Sequence, residues 1–173
     1  MSYQIGVVGS ADRHPPGVQE AEIVGRKLAE KGCTVFTGGC TGIPYIAARA
    51  AQEEGATTIG VSPAINEDDH VDKYQYPVDH YDHIIYTGFG YKGRNTILVR
   101  SCDAVVSLSG GMGTLNELTV GYDERKVVGL LRGLPGAADE FEEILKRLKL
   151  QPRRVVSTAD PEELVEMIVE ELE

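Results

Sequence analysis

An α/β fold, with a mainly parallel sheet of about seven strands and helices on both faces, is predicted by three observations. Short apolar runs alternate with amphipathic stretches along the whole 173-residue chain, and such alternation builds a parallel sheet with right-handed crossovers. Several of the runs end in glycine, as a tight turn from strand into helix demands. No internal repeat, linker or low-complexity stretch interrupts the pattern, so residues 1–173 are expected to form a single domain.

Tyr3–Gly9 reads as the first strand, closing on Gly9-Ser10. Pro15–Lys31 reads as a helix, because Ala21, Val24 and Leu28 share one face and Gly32 stops it. Thr34–Thr37 is a second strand ending in Gly38-Gly39, and Pro44–Glu54 a second helix closed by Gly55. Thr57–Val61 is a third strand, ended by Ser62-Pro63. The polar stretch Asn66–Asp82 is too long for a plain connection; it reads as an exposed loop, or as a lid or partner-contact loop. Ile84–Thr87 and Ala104–Leu108 are further strands, with a helix between them from about Arg94. Gly113-Thr114 opens another helix, Val127–Leu131 is a sixth strand, and Val155-Val156 lies in a short seventh. The last helix starts at Asp160-Pro161: Asp160 caps it, Pro161 fits its first turn, and Glu163 completes a capping box.

Composition excludes whole classes. Apolar residues at 42% and charged residues at 25% are ordinary for a globular chain and rule out disorder, collagen and coiled coil. The longest apolar runs fall far short of the roughly 20 residues of a membrane span, so no membrane contact is expected. The opening residues lack the basic start and apolar stretch of a signal peptide. The three cysteines show no metal-type spacing. A reduced, cytoplasmic protein is the expectation. Of the net charge of −10, most comes from residues 160–173, which carry seven acids and no base. The rest of the chain, with 20 acids against 17 bases, has no stripe of positive charge to bind duplex nucleic acid.

The glycine turns carry the functional signal, since ligands on such sheets bind beyond the carboxyl ends of the strands. Ser109-Gly110-Gly111-Met112-Gly113-Thr114 follows a strand and leads into a helix. Its glycines let backbone N–H groups converge, and the helix start adds positive potential, an arrangement suited to phosphate. It lacks the Lys of a P-loop, which argues against a triphosphate with magnesium. Gly9-Ser10 and the turn Gly38-Gly39-Cys40-Thr41-Gly42 share the same edge and are expected to complete the cradle. Gly88–Gly93 spells G-x-G-x-x-G, but the strand after it runs straight into Ser109-Gly110-Gly111 with no acid for a ribose hydroxyl. Glu117 is either the second half of a capping box with Thr114 or a carboxylate beside the phosphate. Arg94 is either a solvated surface residue or a clamp. His80 and His83, with Asp79 and Asp82, are too loosely spaced for a metal site, and none is expected. Cys33 and Cys102 read as buried small hydrophobes, and Cys40 lies near the ligand edge.

Residues 109–117, S-G-G-M-G-T-L-N-E, resemble the P-G-G-x-G-T-x-x-E signature of the Lonely Guy proteins, once labelled possible lysine decarboxylases. Gly110, Gly111, Gly113, Thr114 and Glu117 match, and Ser109 replaces the proline. Arg94 matches the Arg of that family's Arg–Lys pair, while Asn95 stands for the Lys. Thr37–Gly42 resembles its second glycine turn, departing at Ile43-Pro44, and the likeness runs over residues 4–131. The resemblance implies a Rossmann-like three-layer sandwich, usually a homodimer or dimer of dimers, with the site near the subunit contact. It also implies a phosphoribohydrolase that cleaves a nucleoside 5′-monophosphate into free base and ribose 5-phosphate. Arg94 and Glu117 would then be catalytic, and Gly9, Ser10, Gly38, Gly39, Thr41, Gly42, Ser109, Gly110, Gly111, Met112, Gly113 and Thr114 would hold the phosphate-bearing ligand. No cofactor would be required. The molybdenum-cofactor carrier proteins of the same superfamily imply the alternative: a chain that binds phosphate, a nucleotide or a molybdopterin-type ligand without turning it over.

Overall fold

The computed structural model describes residues 2–173. In chain order the elements are β1 (Gln4–Gly9), α1 (Val18–Glu30), β2 (Thr34–Thr37), α2 (Ile43–Glu53) and β3 (Thr58–Ser62). Then come a π-helical turn (Asp69–Lys73), β4 (His83–Tyr86), α3 (Gly90–Arg100), β5 (Ala104–Leu108) and α4 (Met112–Asp123). The chain closes with β6 (Val127–Leu131), α5 (Ala137–Arg147), β7 (Val155–Thr158) and α6 (Pro161–Leu172).

All seven strands are parallel, in the order β4-β3-β2-β1-β5-β6-β7. The fold is the Rossmann-like α/β architecture that the alternation predicts. From β1 the order runs outward in one direction to β4, then returns to β5 on β1's other side. The crevice between β1 and β5 is therefore the switch point, where neighbouring connections leave in opposite directions and a ligand can enter.

Strand periodicity sorts the core into two layers. Ile5 and Val7 of β1, with Ala104, Val106 and Leu108 of β5, face α1, α2 and α6. Val8 and Val105 face the other way, toward α3, and Val128 and Leu130 of β6 pack with Leu118 of α4 and with Phe141 and Leu145 of α5. Each fully buried side chain of this size contributes about 1.5–3 kcal/mol. Close approach relies on glycine at two points. A Cβ at Gly25 would lie 2.3 Å from the Ala47 carbonyl, so α1 and α2 cross there, and one at Gly129 would lie 2.4 Å from Ile168 of α6.

Several boundaries differ from expectation. Helix α1 starts at Val18, not Pro15, because Pro16 disfavours a helical Pro15 and Gly17 adopts φ 90°. Residues 10–17 are thus a loop at the mouth of the crevice. Helix α3 starts at Gly90, four residues before Arg94, which leaves Gly93 inside the helix and the G-x-G-x-x-G spelling split between turn and helix. Helix α5 has no counterpart in the sequence reading; its buried Ala138, Phe141 and Leu145 lie among acids. The stretch 66–82 is not a plain exposed loop, since it holds the π-helical turn and the fully buried His70. In α3, Leu98 is buried and Ile97 packs against the same cluster, so the helix spends these apolar residues on the core. No helix among the described residues is long and apolar enough to cross a membrane.

Candidate functional site

A cavity of about 410 Å³ opens at the carboxyl ends of β1 and β5. Eight of the residues singled out from sequence line it: Gly9, Ser10, Gly38, Arg94, Gly111, Gly113, Thr114 and Glu117. The centre is one ion pair. Arg94 on α3 donates from Nη1 to Oε1 of Glu117 on the adjacent α4 at 3.1 Å, with side chains only 6% and 8% exposed. The guanidinium lies against Gly38, where a Cβ would sit 2.4 Å from Nη1, so any side chain there would push the guanidinium from its place beside Glu117. Arg94 is therefore not a solvated surface residue, and its Nε is buried without a partner. Glu117 is not a capping residue either, because Gly111 occupies the cap position of α4 without a side-chain cap. Burial pushes the Glu117 carboxyl up to about 7, although Arg94 and Lys92 pull the other way.

Asn95, where the signature has Lys, spends its amide inside the site. Its Nδ2 donates to Asn116 Oδ1 at 3.0 Å and to the Gly113 carbonyl at 3.4 Å, tethering α4 to α3.

The first glycine of the phosphate turn frames it, and the later ones face space. Ser109 and Gly110 both adopt positive φ, 57° and 94°. The Ser109 hydroxyl turns away, donating to the Pro135 carbonyl at 2.8 Å, while the amides of Ala137 and Ala138 donate to the carbonyls of Gly110 and Ser109. Helix α5 thus braces the turn from behind. A Cβ added at Gly111 or Gly113 would meet no atom within 4 Å. The first amides of α4, those of Met112, Gly113 and Thr114, lack intrahelical acceptors, and Gly113 and Thr114 line the cavity. The Met112 side chain itself is exposed at the rim.

Thr41 and Gly42 hold the second turn against the first. The Thr41 hydroxyl donates to the Ala11 carbonyl at 2.6 Å, and the amide of Ile43 donates to the Ser10 carbonyl at 2.8 Å. At Gly42, φ 77°, a Cβ would lie 2.2 Å from that same Ser10 oxygen. Gly39 lies beside Gly60 and His70. Six of the expected ligand residues (Gly39, Thr41, Gly42, Ser109, Gly110 and Met112) therefore lie outside the cavity lining, most of them bracing it.

Sequence reasoning did not single out Asp12, Tyr76, Tyr91 and Lys92, all of which line the cavity. Tyr76 arrives on the 66–82 strap, and its hydroxyl donates to that of Tyr91 at 3.2 Å. His70 pins the strap to the sheet. Its Nε2 lies 3.0 Å from the Pro77 carbonyl and its Nδ1 2.8 Å from the Ser62 hydroxyl. A carbonyl only accepts, so Nε2 carries the proton and Ser62 donates to Nδ1. The density of tyrosines between 74 and 91 was the available signal. Cys40 also lines the cavity, and burial pushes its thiol up to about 11, so it is neutral and unreactive near pH 7. Among the described residues, no three His, Cys, Asp or Glu side chains gather into a group that could hold a metal.

The model of the SLOG cluster4 family matches residues 2–165, and the chain belongs to that family. This bears out the resemblance carried by residues 109–117 at the level of the Lonely Guy-like superfamily. An uncharacterized protein of Archaeoglobus fulgidus is 33% identical over 129 residues, 75% of this chain and 80% of its own. The structure of the molybdenum cofactor binding protein from the phototrophic bacterium Rippkaea orientalis is 29% identical with a TM-score of 0.82, covering 98% of this chain and 97% of that one. The molybdenum cofactor carrier protein of Chlamydomonas reinhardtii is also 29% identical, with a TM-score of 0.77 and 99% of each chain covered.

Proposed function

We propose that this SLOG cluster4 protein is a cytoplasmic carrier that holds a phosphate-bearing, molybdopterin-type ligand in the β1/β5 crevice and releases it unchanged. One observation carries the reading: the likeness to a molybdenum cofactor binding protein and a molybdenum cofactor carrier protein spans almost the whole of both chains. The site's chemistry agrees. The phosphate of the cargo has a cradle in the free amides of Met112, Gly113 and Thr114, over space left by Gly111 and Gly113. Lys92 at the rim supplies positive charge. The Asp12 carboxylate can accept from ring N–H groups, and Tyr76 with Tyr91 offers aromatic surface. Assembly into homodimers or dimers of dimers belongs to the same proposal and rests on the family resemblance.

A phosphoribohydrolase is the second reading, favoured by the buried Glu117, whose carboxyl near 7 suits proton transfer. One feature weighs against it: Asn95 stands where that family has Lys, and its amide is spent within the protein. The carrier reading predicts no free base from the purified protein and a panel of nucleoside 5′-monophosphates, measured by chromatography. Base release that falls on the order of 10²-fold in Glu117→Gln would establish the hydrolase instead.

A further inference from the structure

A second, more open chamber of about 400 Å³, with Arg13 exposed at its edge, lies across a ridge from the crevice. The ridge consists of sequence neighbours facing opposite ways. Asp12, Cys40 and Pro44 line the first cavity, Arg13, Thr41 and Tyr45 line the second, and Tyr76 lines both. The hydrogen bonds Thr41 to Ala11 and Ile43 to Ser10 lock the ridge, so the spacing of the two chambers is built in.

The second chamber has its own chemistry. Arg13 is the one charged residue of its lining and makes no ion pair or hydrogen bond among the described residues. Tyr45 and Tyr76 line it with aromatic rings, Tyr45 packed edge-to-face with His80 and Tyr76 stacked on Tyr74. Gln75 spends its amide nitrogen on the carbonyls of Val71 and Asp72, which leaves its oxygen to accept. In the first cavity, Arg94 is already neutralised by Glu117, which leaves Lys92 for one phosphate, so a second phosphate would need a second cation.

We propose that the two chambers form one bipartite site for a ligand whose halves are joined by a pyrophosphate. The ring half and its phosphate occupy the crevice, the bridge passes Tyr76 beside Arg13, and a nucleoside fills the second chamber against Tyr45. The proposal rests on the carrier reading and names its cargo class: a pterin extended by a nucleotide.

Calorimetric titration of the full chain with AMP and with diadenosine pyrophosphate tests the proposal without the pterin. The pyrophosphate-linked probe should bind one per chain, roughly tenfold or more tighter than AMP, as one added charge-assisted contact allows. Arg13→Ala removes the cation and Val71→Trp fills the second chamber from an exposed position on the π-helical turn. Each should bring the affinity of the pyrophosphate-linked probe down to roughly that of AMP. Equal affinities in the unmodified protein, whether both probes bind or neither does, would overturn the proposal. So would a preference that survives both substitutions. A protein that prefers the linked probe yet retains no pterin would keep the bipartite site and reject the carrier reading.

Discussion

Replacing Arg94 by Ala is expected to destabilise the protein by about 3 kcal/mol at pH 8, and by much less at pH 5. The substitution leaves Glu117 buried without its cation, and an uncompensated buried charge is among the costliest single changes. The pH dependence follows from the protonation of Glu117. Burial raises its carboxyl to about 7, above its ordinary 4.5. Between those values the folded state binds more protons than the unfolded state, so stability falls as pH rises through the window. Below about 7 the folded-state carboxyl is neutral, the ion pair is absent, and losing Arg94 costs little beyond packing. Denaturant midpoints of the two proteins should therefore diverge as pH rises through 7. Glu117→Gln should flatten the slope of the unmodified protein. A gap between the two that stays constant from pH 5 to pH 8 would show that the pair does not form.

Gly111→Val should abolish ligand binding while leaving the fold nearly intact. A Cβ here meets nothing within 4 Å, and the residue's φ of −116° is open to any side chain. The fold should lose only about 1 kcal/mol, from a poorer helix cap. The added methyls, however, occupy the space above the first amides of α4. Losing two charge-assisted hydrogen bonds at about 1.5–3 kcal/mol each weakens binding by on the order of 10²-fold or more. Equilibrium binding of a phosphate-bearing ligand, set beside a thermal melt, reads both effects. Undiminished binding would move the phosphate away from this turn.

Much of the architecture was legible because the buried strands are short, apolar and punctuated by glycine. The turn Ser109–Thr114 was readable for the same reason: its backbone needs glycine, and glycine shows in a sequence. Local chemistry carried less far where the cause is tertiary. Thr114 and Glu117 have the spacing of a capping box, but Arg94, 23 residues upstream of Glu117, claims the carboxylate instead. The roles of Thr41 and Gly42 depend on carbonyls 30 or so residues away, so a turn that looked like a ligand contact proved to hold another turn in place. Helix α5 carries a legible pattern, since Ala138, Phe141 and Leu145 recur at helical spacing with charges between them. Tyr76 and His70 were hidden by a polar stretch, whose one buried imidazole fixes where the tyrosine stands.

The most direct test of the carrier reading is to recover the cargo. The protein, purified from cells that make the molybdenum cofactor, should retain close to one pterin per chain through gel filtration. On unfolding it should yield that pterin chemically intact by mass spectrometry, and Gly111→Val should retain none. A protein that emerges without pterin from such cells, or yields only a cleaved product, would contradict the account.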